Sequence, residues 1–74
     1  MNEYITTKGT SLYWHGRYDL VDGYELDVRR NRNSYAAGAD LSQPNGAIQV
    51  KKPARLSNAQ VLVELDAIAQ YYNL

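Results

Sequence analysis

Between Ser11 and Arg29 the chain alternates apolar and polar residues in two runs on either side of an Asp22-Gly23 pair, a pattern that restricts it to a β-hairpin. In the first run Leu12, Trp14, Tyr18 and Leu20 fall on one face and Tyr13, His15, Arg17 and Asp19 on the other, with Gly16 interrupting the apolar row. In the second, Tyr24, Leu26 and Val28 alternate with Glu25, Asp27 and Arg29. Residues opposed on paired strands point to the same face, so the register can be tested against the pattern. A two-residue Asp22-Gly23 loop opposes Leu20 to Glu25 and fails. A loop of Val21, Asp22 and Gly23 opposes Leu20 to Tyr24, Tyr18 to Leu26 and Gly16 to Val28, with Gly23 in the left-handed position of a type I turn with a G1 bulge. That register also sets Arg17 against Asp27 and Asp19 against Glu25.

The rest of the chain extends the same plan. Tyr35, Ala37, Ala39 and Leu41 alternate and predict a further strand, Gln43-Pro44-Asn45-Gly46 is a turn signal, and Ala47 to Lys51 returns with Leu41 opposite Ile48 and Ala39 opposite Val50. Tyr4 to Thr7 predicts a short edge strand. Beyond Pro53 the start of a helix is written out in full: Ser57 as N-cap, Gln60 completing a capping box, and Leu56 and Val61 at the two positions of a hydrophobic staple. Val61, Leu62, Leu65, Ile68, Ala69 and Tyr72 follow helical spacing and give one apolar stripe. The fold class is therefore α+β: one domain over 1–74, an antiparallel meander sheet of four to five strands (about 4–7, 11–20, 24–29, 34–41 and 47–51) with one C-terminal helix (about 58–72) packed on one face.

Size limits how firmly such a domain can hold. A chain of 74 residues buries only about 60% of the surface that it exposes when unfolded. Without cysteine, disulfides and thiolate metal sites are excluded, so packing of Leu, Ile, Val, Tyr and Trp must carry the stability. Absence of cysteine fits a reducing compartment. No apolar run approaches the roughly 20 residues that span a bilayer, and no charged segment precedes an apolar one at the amino terminus, so the expectation is a soluble, cytoplasmic protein with no membrane partner.

Charge is balanced overall, eight basic residues against eight acidic ones, yet it is blocked in sequence. In a meander, alternate strand ends share one edge of the sheet. Lys8, Arg29, Arg30, Arg32, Lys51, Lys52 and Arg55 are thus expected to gather at one basic pole, with Asp19, Asp22, Glu25 and Asp40 at the opposite end and Glu64 and Asp66 along the helix. A basic pole of this kind could grip phosphates or an acidic protein surface. The seven tyrosines supply apolar rings with polar tips, and Tyr13 and Tyr35 are the candidate aromatic contacts.

Catalytic chemistry has little to work with. His15 is the sole histidine, so triads, histidine metal clusters and two-histidine mechanisms lack their residues. The segment DLVDGYELD misses an EF-hand loop, because a glycine at its sixth position puts Tyr18 first and Arg29 last. Neither a P-loop nor a dinucleotide fingerprint aligns with the glycines. The expectation is a protein that is not an enzyme and that takes no metal or cofactor.

What remains is binding. Tyrosine, tryptophan and arginine are favoured at interface hot spots, so the first reading is a stoichiometric inhibitor or adaptor that docks on a larger protein or nucleoprotein complex through the basic pole and exposed tyrosines. A small nucleic-acid-binding domain using the same cations on phosphates is the alternative, and pairing of two copies as a homodimer through an edge strand is the third. In size, absence of cysteine and compact strand-plus-helix plan, the whole chain resembles the very small single-domain phage proteins that interfere with host machinery, of which anti-CRISPR proteins are the best-known group. That resemblance implies a viral inhibitor acting by protein binding; no motif carries it, and it transfers no functional residue.

Overall fold

Four strands, β1 (Asn2–Ile5), β2 (Ser11–Leu20), β3 (Gly23–Arg29) and β4 (Ala47–Lys52), pair antiparallel in chain order, and a helix, α1 (Asn58–Tyr72), covers one face of the sheet. This is the expected α+β meander with its carboxy-terminal helix. The computed structural model describes residues 2–21, 23–34 and 40–74, and of Leu20 the backbone alone.

Register divides the sheet cleanly into two faces. Trp14 stands opposite Val28 and Gly16 opposite Leu26, while Val28 and Leu26 stand opposite Ile48 and Val50 on the other side. These residues, with Leu12 and Tyr24, form the face that packs against Val61, Leu65 and Ala69 of the helix. Fully burying side chains of this size stabilises the fold by roughly 1.5–3 kcal/mol each. Leu12, Leu26, Val28, Leu41 and Leu65 are completely buried and form the centre of that core.

The hairpin register is displaced from the expected one by two residues. Tyr18 does not oppose Leu26; Gly16 does, and the ladder slips between Arg17 and Leu20 before closing with Leu20 opposite Gly23. Gly23 does adopt positive φ, +112°. Tyr24 decides the register. Its ring lies over Gly16, where a Cβ would come within 1.8 Å of the phenol oxygen, a diagonal cross-strand placement that only a residue without a side chain permits. Tyr18 is consequently pushed out of the core and is 54% exposed.

A second correction concerns the strand expected at about 34–41. Most of it, residues 35–39 including Tyr35, Ala37 and Ala39, lies outside the described residues. Its place next to β3 belongs to β4, and the expected pairing of Leu41 with Ile48 does not form, while that of Ala39 with Val50 lies outside the described residues. Leu41 enters the core from a turn instead. The alternation that suggested a strand is satisfied at Leu41 by one buried leucine, because a turn residue can deliver a side chain to the core as well as a strand can. The edge strand is also two residues earlier than the 4–7 expected, since Thr6 and Thr7 lie in the turn after β1.

The helix starts as its sequence dictates. Ser57 Oγ accepts from the Gln60 amide at 3.3 Å, and Gln60 Oε1 accepts from the Ser57 amide at 2.8 Å, a reciprocal capping box. It ends at Asn73, in the left-handed region at φ 59°, with the Leu74 amide donating to the Ala69 carbonyl at 2.9 Å, as in a Schellman motif. Buried Thr6 ties this end down: its hydroxyl donates to the Leu74 backbone oxygen at 2.6 Å and accepts from the Thr10 amide at 3.0 Å. Leu62, expected on the apolar inner stripe, is 51% exposed. It flanks the stripe at an angle that points it past the sheet, so helical spacing alone overcounts the buried side.

Candidate functional site

The expected basic pole does not form. β4 pairs directly with β3 and runs against it, so Arg29 stands beside Ala47 while Lys51 stands beside Glu25 and Lys52 beside Tyr24. Lys51 and Lys52 are therefore at the far end of the sheet from Arg29, Arg30 and Arg32. The reason is topological: removing one strand from between β3 and β4 reverses the direction of β4. Arg55 follows β4 to that far end and lines a cleft with Trp14, Tyr18 and Tyr24. Only Lys8 shares the end that holds Arg29, Arg30 and Arg32, because its turn connects Ile5 to Ser11 there; its Nζ donates to the Asn73 amide oxygen. Asp40 departs from expectation in the other direction, lying at that same end beside Gly46 rather than with Asp19 and Glu25.

The sheet's outer face carries charge in rows. Arg17, Glu25 and Lys51 stand side by side across three strands, and His15, Asp27 and Gln49 form the next row. Opposite charges in directly opposed positions each contribute roughly 0.2–1 kcal/mol. Charges blocked in sequence are thus interleaved in space.

Asp27 is the centre of the second row and is only 5% exposed. Arg29 on the same strand face clamps it, with Nη2 at 3.1 Å from Oδ2 and Nε at 3.4 Å from Oδ1. His15 Nδ1 lies 3.9 Å from the same carboxylate. Arg29 Nη1 continues to the Ser34 carbonyl at 2.7 Å. Buried carboxylates require such partners, since desolvation of an unpaired charge costs several kcal/mol, on the order of 3–5 once its partner is removed. Arg30 is similarly engaged: Nη1 donates to the carbonyls of Ser42 at 2.6 Å and Leu41 at 3.3 Å. Arg29 and Arg30 are thus hydrogen-bonded within the fold, as are Lys8 to Asn73 and Lys52 to Glu64, whereas Arg32 lies with its guanidinium carbon 5.1 Å from the ring centre of Tyr13.

Helix α1 presents the opposite arrangement. Its two charged residues face inward or sideways: Glu64 bonds Lys52 Nζ at 2.9 Å, and Asp66 accepts from Gln70 at 2.8 Å and from the Tyr4 hydroxyl at 3.4 Å. Desolvation, together with the charge and hydrogen bond of Asp66, raises the pKa of Tyr4 above its ordinary 10.0. The exposed side of the helix is Asn58, Ala59, Gln60, Leu62, Val63, Ala67, Gln70 and Tyr71, with no charged side chain among them. Val63 is 69% and Tyr71 82% exposed. A surface helix ordinarily carries its charges on the solvent face. This surface was missed in the sequence because Leu62 was assigned to the core and Val63 and Tyr71 were assigned no role; the clue available there was a helix of fifteen residues with only two charges.

Among the described residues no group of three or more His, Asp or Glu side chains could hold a metal ion, and no helix is long and apolar enough to cross a membrane. Comparison of the chain with protein-family models, curated proteins and solved structures gives no match.

Proposed function

We propose that this chain is a non-enzymatic binding protein of the cytoplasm, a stoichiometric inhibitor or adaptor, and that it docks on a larger protein assembly through the outer face of α1. The observation that carries this reading is the exposure of Leu62, Val63 and Tyr71 on a helix whose fully exposed positions hold no charged side chain, its two carboxylates being partly buried. Exposed large apolar side chains on a small monomer are candidate contact points, and here Val63 and Tyr71 stand about 80° apart around the helix axis with Leu62 on the far flank of Val63. Tyr71 is the natural anchor, since tyrosine is enriched at hot spots and its ring is already braced edge-on against Tyr72 at 4.9 Å. A role of this kind agrees with the resemblance to small phage interference proteins. The interleaved charges of the sheet offer no broad basic face, which takes support from the nucleic-acid reading.

Photo-crosslinking tests the assignment. A benzophenone amino acid at position 63 should yield one heavier adduct from a native extract, competed by excess parent protein and not by Val63→Lys, while the same group at position 49 on the sheet's outer face should yield none. An adduct from position 49 and not 63 would refute the assignment. A covalent homodimer from position 63 would reassign the face to pairing between copies.

A further inference from the structure

A cleft of about 380 Å³ opens at the end of the sheet, between the start of β2 and the turn after β3, away from the helix face. Thr10, Ser11, Tyr13, Arg30, Asn31 and Arg32 line it, and Pro44 closes one side. Among the described residues the lining contains two guanidinium groups, three hydroxyls and an amide, and no carboxylate. Glu3, which stands opposite Tyr13 on β1, is not part of it.

Both cations are held in place by the fold. Arg30 is fixed by its side-chain bonds to the Leu41 and Ser42 carbonyls and by its backbone amide, which donates to the Gly46 carbonyl at 2.9 Å. These bonds occupy Nη1, leaving Nε and Nη2 with no acceptor among the described residues. Arg32 rests on the Tyr13 ring, and no carboxylate or carbonyl among the described residues accepts from it. A stacked guanidinium keeps its planar fork of donors free at the ring's edge, so little side-chain entropy is lost when an anion arrives.

We infer that this cleft binds a phosphate group. A planar carboxylate is satisfied by one guanidinium fork, whereas a tetrahedral phosphate presents three oxygens that accept from two forks and from neighbouring hydroxyls together. Thr10, Ser11 and Tyr13 supply those hydroxyls. The volume lies at the lower end of the roughly 300–1,000 Å³ typical of small-molecule sites, which suits one phosphorylated unit. That unit is either a small phosphomonoester, with three unbridged oxygens, or one phosphodiester link of a nucleic-acid backbone, with two; what they share is a tetrahedral anion that two guanidinium forks can hold together. The inference stands apart from the helix face and does not depend on it.

The test is amide and guanidinium NMR of the full chain, titrated separately with inorganic phosphate, a nucleoside 5′-monophosphate and a short single-stranded oligonucleotide without terminal phosphates. Saturable shifts should be confined to residues 10–13 and 30–32. Arg32→Gln, which leaves every hydrogen bond of Arg30 in place, should weaken binding by about tenfold or more through loss of a charged bidentate partner. Arg55→Gln, with the same change in net charge, should leave it unchanged. Tighter binding of the mononucleotide assigns the site to a small phosphorylated ligand, and tighter binding of the oligonucleotide assigns it to a phosphodiester backbone; both support the inference. It is overturned if none of the three ligands gives saturable shifts, if shifts extend equally to Lys51, Lys52 and Arg55, or if Arg32→Gln binds as the parent does.

Discussion

The outer face of the sheet and the outer face of the helix are both turned to solvent, yet they are built on opposite rules. On the sheet, Arg17, Glu25 and Lys51 alternate in sign across three strands, and Asp27 is sunk beneath Arg29 and His15. On the helix the two carboxylates are bonded to Lys52 and Tyr4 on the sheet and to Gln70 along the helix, and Leu62, Val63 and Tyr71 are exposed. Several charges of this chain thus hold the fold together, and the fully exposed positions of the helix carry none. A small domain without disulfides gains from that division, because hydrogen-bonded ion pairs at its sheet ends supplement a core limited by chain length.

The sharpest way to break the comparison is at its buried charge. Asp27→Ala leaves the Arg29 guanidinium half-buried without its carboxylate and should cost about 2 kcal/mol, less than the loss for a fully buried pair because Arg29 retains some contact with water. Equilibrium urea unfolding measures it, and a parent-like midpoint would show that the pair is ornamental. Next in size is Arg30→Met, which strands the carbonyls of Leu41 and Ser42 and should cost about 1–1.5 kcal/mol, with exchange-protection loss confined to residues 40–46. Reversal of sign within the exposed row, Arg17→Glu, places like charges opposite each other. It should cost about 0.5 kcal/mol, falling as salt is added.

Smaller effects follow from pH. Hydrogen bonds from the hydroxyl and amide of Ser42 hold the Asp40 carboxyl below its ordinary 3.8. A depressed carboxyl stabilises the fold above its unfolded value, so this contribution is present above pH 3.8 and is lost as pH falls through the lower folded value. Tyr4, whose pKa is raised from 10.0, behaves in the mirror sense: its contribution is intact below that pH and is lost as pH rises through the higher folded value. Amide shifts of Ser42 in the acid limb and of Asp66 in the alkaline limb report the two events. Unchanged shifts through either limb would show that the corresponding bond does not form.

Some of this arrangement was legible in the sequence and some was not, and the division follows the range of the forces involved. Ser57 and Gln60 are three residues apart and define the helix start between themselves, so the helix was legible to the residue. The inward alternation of Leu12, Leu26 and Val28 was equally plain. The partner of β4 was not, because pairing depends on residues far along the chain and Leu41 occupies the core from a turn while imitating a strand position. That one misplacement reversed β4, carried Lys51, Lys52 and Arg55 to the wrong end, and produced a basic pole on paper. The hairpin slipped for a subtler reason: the ring of Tyr24 needed the empty space over Gly16, a steric requirement that polarity patterns do not record.

Equilibrium urea unfolding of the double variant Leu62→Lys, Val63→Lys tests the division between the two faces most directly. If the outer side of α1 is free, two lysines there leave the unfolding free energy within about 0.5 kcal/mol of the parent, as substitutions at unencumbered surface positions do. A loss of about 2 kcal/mol or more, the size expected when buried apolar side chains are removed, would mean that these residues pack within their own chain and that the helix offers no open surface.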